Sequence, residues 1–276
     1  MRYSITSRFR GTLLGATLGE KITNQSQIKH PPTITKVLIL GTQSLVELGR
    51  FERESWLEKL LILELTPLEA IVASLPLALF YHDNKIKLRQ NLLSVASIWL
   101  NEPIIQESIL ALGYAIAQAL TEKLLPSKLI GQIVTFIDAS NTDLVDKLIQ
   151  VQALLEQKAG LEKTVTQLTQ NSNVTTLSVA LAFYYFLSTV EDLNLSVKRS
   201  RRSPDSSAIV GALSGAYNSA SSIPSSWHIL ASPQTSAQTE MLQLTDSLVA
   251  VWSGVYDHEA TSVKLISTVA APRVIR

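Results

Sequence analysis

Apolar residues recur along most of this 276-residue chain at intervals of three and four, the spacing that puts them on one face of a helix. In residues 8–18, Phe9, Leu13 and Ala16 share a face with Leu14 and Leu18. Residues 36–48 turn Leu38, Leu45 and Leu48 inward, and Gly49 is placed to stop that helix. Residues 51–64 make a further amphipathic piece. Thr66-Pro67-Leu68-Glu69 reads as a helix start, with threonine as cap, proline first and glutamate three after the cap. That helix runs to Tyr81 with a kink near Pro76. The same spacing predicts helices over 87–100, 104–122, 128–137 and 144–158, with Gly160 as the stop of the last. Residues 176–187 are almost uncharged and belong to the core. A short helix over 189–198 carries Glu191 and Asp192 in its first turn, and 234–256 is the last clear helix. Residues 258–276 hold β-branched residues without a period and read as a loosely structured or docking tail. No strand alternation is long enough to require a sheet, and nothing repeats at a fixed period. The expectation is an all-α fold: a single domain over residues 1–276, a bundle of roughly ten or more helices.

Composition allows a sizeable core, since 46% of residues are hydrophobic and only 17% charged. A formal net charge of +1 argues against a general nucleic-acid or membrane-surface role. The absence of cysteine excludes disulfides, thiolate metal sites and a cysteine nucleophile. The longest apolar runs, 70–81 and 177–187, fall short of the roughly 20 residues that a spanning helix needs. The opening MRYSITSRFRG lacks the apolar run of a signal peptide. A soluble cytoplasmic protein is expected.

The stretch SPDSSAIVGALSGAYNS, residues 203–219, is unusual among these helices. Ala208, Gly211, Ala212, Gly215 and Ala216 are small, with Ile209, Val210 and Leu213 between them. Glycine in a helix interior costs roughly 1 kcal/mol relative to alanine, so two of them four apart point to close backbone approach. Ser203 is placed to cap, Pro204 suits the first position, and Asp205 complements the positive end of the dipole. This stretch resembles the C-terminal signature of the ADP-ribosylglycohydrolase family, where an Asp-x-Asp-Thr/Ser run opens a helix reading roughly AAIAGALAGAYYG before an Ile-Pro. Ser203 to Ser206 stand at that run, and Ile223-Pro224 follow in register. Residues 8–18, RFRGTLLGATL, are similar to the family's opening helix, with Gly19-Glu20 at its Gly-Asp. Together the similarities extend from Arg8 to about Tyr256.

The resemblance implies removal of ADP-ribose from an acceptor with two bound magnesium ions. Magnesium takes oxygen ligands in near-octahedral geometry and needs carboxylates to offset its charge. The family's Thr-Asp-Asp-Thr run falls on Pro32-Thr33-Ile34-Thr35 here, so Thr35 is retained and both aspartates are not. Between Leu18 and Glu47 the one acidic residue is Glu20. At the C-terminal run Asp205 and the Ser206 hydroxyl remain. The expectation is therefore that the metal pair is lost and no cofactor is held. Asp205 is then a vestigial metal ligand or simply a dipole residue, and no residue is assigned as catalytic. No histidine pair has metal spacing, and there is no Gly-x-Ser-x-Gly elbow or phosphate loop.

The one concentrated charge is KRSRR, residues 198–202, directly before the signature. It is either a solvated loop, an anion site or a dock for an acidic partner. As an anion site, Arg199, Arg201 and Arg202, with Ser206 and Thr35, would bind ADP-ribose or another phosphate-bearing ligand, since arginine pairs phosphate bidentately. The expected role is a binding or regulatory module of this family without its reaction. The alternatives are an active hydrolase using Asp205 and Glu20 with a reduced metal site, and an assembly subunit with a protein partner.

Overall fold

The computed structural model describes residues 3–23, 33–60, 63–99, 102–138, 142–230 and 236–255. Among them are fifteen α-helices and no strand. In chain order these are α1 (Ile5–Thr23), α2 (Thr33–Leu48), α3 (Arg53–Leu60), α4 (Pro67–Ala73), α5 (Leu75–Phe80), α6 (Lys85–Trp99), α7 (Pro103–Leu120) and α8 (Leu129–Ile137). They continue as α9 (Asp143–Glu156), α10 (Leu161–Thr169), α11 (Val174–Ser188), α12 (Leu193–Ser200), α13 (Ser207–Asn218), α14 (Ser225–Leu230) and α15 (Ser236–Trp252). The all-α expectation holds. The tail expected over 258–276 lies outside the described residues.

One continuous apolar cluster joins residues from α1 to α15. Its centre is α11, in which Val179 to Phe186 are all buried, because α7, α9, α10, α12 and α13 pack around it. A helix enclosed on every side has no use for a polar stripe, which explains the uncharged sequence there. Of the described helices, only α7 is long and apolar enough to cross a membrane; 78% of it is buried inside the bundle.

Local chemistry sets several boundaries. Thr66 and Glu69 form a complete capping box: Glu69 N–H donates to Thr66 Oγ1 at 3.3 Å, and Thr66 N–H donates to Glu69 Oε2 at 2.7 Å. The helix then breaks at Ser74, two residues before Pro76, whose ring nitrogen has no proton for the preceding turn. Ser74 Oγ takes part in the break by donating to the Ile71 carbonyl at 2.6 Å. Gly49 ends α2 at φ 64, as its position predicts.

Other expectations are corrected. Gly160 does not stop α9. The left-handed residue is Lys158 (φ 51), whose N–H bonds to Leu155 O at 3.0 Å while Ala159 N–H bonds to Leu154 O at 2.9 Å. Those two bonds are a Schellman ending. Gly160, at φ −66, instead caps the start of α10. α10 and α14 are not among the helices expected above, although Leu161, Val165 and Leu168 of α10 stand at helical spacing and pack on the core. Asp192 lies ahead of α12 as its cap, accepting from Leu195 N–H at 2.8 Å.

Candidate functional site

The glycine helix finds its partner at the other end of the chain. α1 and α13 run antiparallel, and each step of four residues forward on α1 is matched by four back on α13. Gly11 meets Gly215, Gly15 meets Gly211, and Gly19 meets Ser207. A β-carbon on any of the four paired glycines, 11, 15, 211 or 215, would overlap the carbonyl oxygen of the opposite residue. The contact is therefore backbone on backbone. It also fixes the C-terminal end of α1 beside the start of α13.

Arg8 holds the other end of this pair. It is 5% exposed, and its guanidinium donates to the Ala119 carbonyl at the end of α7 and to Glu122 Oε1 at 2.9 Å. Carbonyls at a helix C-terminus carry partial negative charge and lack intrahelical donors, so a buried cation suits them.

At the start of α13 the expected cap is replaced. Residues Pro204–Ser206 form a 3-10 turn, and the Ser203 side chain makes no capping bond. Ser206 Oγ donates to Ser203 O at 2.7 Å, and Ser207 Oγ donates to Pro204 O at 2.6 Å. Thr23, on the last turn of α1, donates to Ser207 Oγ at 2.8 Å. Asp205 is exposed within the 3-10 turn and not in the first turn of the α-helix.

Glu20 lies one turn before the end of α1. Its Oε2 is buried and has no hydrogen-bond partner among the described residues. Burial raises its carboxyl to about 7; the charge of Glu69 pushes the same way and Lys21 opposes. Glu69 belongs to the capping box of α4, and no local pattern signals that its charge acts on Glu20. Thr35, in the first turn of α2, is 7% exposed, and its Oγ1 is likewise unpartnered among the described residues. α2 packs against both α1 and α4.

Among the described residues, no group of three or more histidine, aspartate and glutamate side chains is placed to hold a metal. Burial and the Glu69 charge together favour the neutral form of this carboxyl. What it can do is exchange a proton near neutral pH.

The basic run does not act as one cluster. Arg199 turns toward α11 and donates to Ser188 Oγ at 2.9 Å. Arg202 pairs with Glu162 of α10 at 3.4 Å, an exposed contact. Arg201 caps the end of α12 and is exposed. No hydrogen bond or ion pair among the described residues joins these arginines to Ser206, Asp205 or Thr35. His82 is a core residue: it is 7% exposed, its ring meets Phe9 edge-on and Trp252 at a tilt, and its Nδ1 bonds to the Leu79 carbonyl at 2.7 Å. Burial lowers its pKa, so the neutral ring with Nδ1–H as donor is favoured. His30 and His258 lie outside the described residues.

A family model described as ADP-ribosylglycohydrolase matches residues 66–258. A solved structure described as an "ADP-ribosylglycohydrolase-related protein complex" is similar at TM-score 0.63 and 15% sequence identity, over 90% of this chain and 99% of that one. Comparison with curated proteins finds no match. At that identity the structural likeness bears on the fold alone.

Proposed function

The chain belongs to the ADP-ribosylglycohydrolase family, and from that premise we propose that it is a binding or regulatory member that has given up the two-metal reaction. Its ligand is ADP-ribose or a related phosphate-bearing molecule, taken up beside the end of α1 and the start of α13, with exposed Arg201 at the approach. The observation that carries this reading is the makeup of this mouth: Thr35, Asp205 and Ser206 stand at the positions that resemble the family's acidic runs, and among the described residues no three acidic or histidine side chains gather to hold a metal. The carboxyl at the mouth of the α1–α13 pair is held by burial and by Glu69, in a manner that favours its neutral form. Two divalent ions need several fixed anions, and the site supplies hydroxyls instead. In this reading the protein works in the cytoplasm.

Magnesium titration followed by thermal melting tests it. A bound ligand raises the midpoint by mass action. The midpoint is expected to stay constant through sub-millimolar magnesium and to rise with millimolar ADP-ribose. A rise at sub-millimolar magnesium, or indifference to ADP-ribose, contradicts the proposal.

One observation favours a second reading. A carboxyl that titrates at about 7 suits general acid or base work, so a metal-independent hydrolase using Glu20 would have its proton donor in place. Release of ADP-ribose from a modified protein, lost in Glu20→Gln, would establish that reading over the first. The similar solved structure is described as a complex. A role of this chain as an assembly subunit would show in light scattering with candidate partners as a larger species.

A further inference from the structure

The Arg199 side chain, split from the rest of the basic run, opens onto a groove of about 530 Å³ between α9, α10, α11 and α12. That is within the range of about 300–1,000 Å³ usual for small-molecule sites. Its apolar wall comes from Pro126, Leu155, Leu161 and Leu187. Its shape is fixed by Tyr184, which is 3% exposed and donates its hydroxyl to the Ala159 carbonyl at 2.9 Å.

The polar groups are unevenly signed. Arg199 is half-buried and donates to the neutral Ser188 hydroxyl; among the described residues no carboxylate forms an ion pair with it. Lys158 adds a second cation at the rim, on the left-handed residue that ends α9. The single lining carboxylate, Glu156, accepts from Gln152 Nε2 at 2.9 Å. Gly160 opens α10 into the same groove without a side-chain cap, leaving first-turn N–H groups unbonded by a capping side chain. Apolar walls, two cations and an uncapped helix start are complementary to one kind of occupant.

We propose that this groove is a second binding site, separate from the α1–α13 mouth, and that it takes a free small amphipathic anion: an apolar body lying on Leu155, Leu161 and Leu187, with a phosphate or carboxylate held by Arg199 and Lys158. The guanidinium is pre-oriented by Ser188, which reduces the ordering cost of pairing with the anion. The site does not depend on the family reaction or on the state of Glu20.

The test uses the full chain with octyl phosphate and octanoate, each below its micelle concentration, followed by calorimetric titration. Octanol and inorganic phosphate are the controls for body alone and charge alone. At least one of the two anions is expected to bind at sub-millimolar concentration, and both controls at least tenfold more weakly. Which anion binds identifies the head group. Arg199→Gln keeps a donor for Ser188 and removes the charge; it should weaken binding roughly tenfold or more, as loss of a charge-assisted hydrogen bond does. Lys163→Gln, an exposed neighbour that does not line the groove, should leave affinity unchanged. Failure of both anions to bind overturns the proposal, as does octanol binding equally well, an unaltered Arg199→Gln, or an equal loss in Lys163→Gln. Circular dichroism of each variant separates lost binding from lost folding. Magnesium and ADP-ribose melts report on the other site, so either reading can fail alone.

Discussion

Gly15 on α1 and Gly211 on α13 face each other so closely that neither leaves room for a β-carbon beneath the other's carbonyl. The atoms in the way are backbone, which cannot swing aside as a side chain does. In an isolated helix, glycine to alanine is favourable by about 1 kcal/mol. Here the sign reverses.

Gly15→Ala and Gly211→Ala should each lower stability by about 2–3 kcal/mol or more, the upper range for overpacking. Gly131 is the control. It lies inside α8, is exposed, and has nothing within 4 Å of a built β-carbon. Gly131→Ala should raise stability by about 0.5–1 kcal/mol. Urea unfolding of the three variants measures both effects, and a stable Gly211→Ala protein would refute the close contact.

Glu20 should make stability depend on pH. Its folded carboxyl titrates at about 7, raised from 4.5. Between those values the folded chain holds a proton that the unfolded chain has released. Stability therefore falls as pH rises through this window, and is flat with respect to Glu20 on either side. Glu20→Gln removes that slope. It should stabilise the protein at pH 8 by about 1–2 kcal/mol, less than the full linkage value because the side chain keeps some contact with water. Thermal melts of both proteins from pH 5 to pH 8 check this; parallel curves would show that Glu20 is not perturbed.

Lys158 pays a conformational penalty that glycine would not. It holds φ 51 at the end of α9, where glycine is the usual residue. Lys158→Gly should stabilise the ligand-free protein by about 0.5–1 kcal/mol, since relief of the left-handed strain outweighs the greater freedom of glycine in the unfolded chain. Chemical denaturation without added anions measures it. Lower stability would mean that the lysine makes a compensating contact.

Much of the frame was legible because its causes are local. The Thr66–Glu69 capping box, the stop at Gly49, the uncharged run of α11 and the all-α class all follow from chemistry within a few residues. The misplaced features have equally local reasons. Gly160 looks like a stop because glycine often is one, yet the chain turned left-handed two residues earlier and used the glycine to begin α10. α10 does carry a short apolar period, Leu161, Val165 and Leu168, but it spans only two turns between Gly160 and the polar link that follows.

The site divides along the same line. Sequence alone determined that a close-packing helix lies within residues 203–219, because its small residues at helical spacing are a matter of residue type. Only the tertiary structure decided that Gly11 and Gly15 are the surfaces it packs on, that the charge of Glu69 acts on Glu20, and that Arg199 and Arg202 diverge. Those relations join positions up to two hundred residues apart, or set side-chain directions by what a neighbouring helix offers. Charge, burial and partner at a site are properties of packing, and no spacing along the chain contains them.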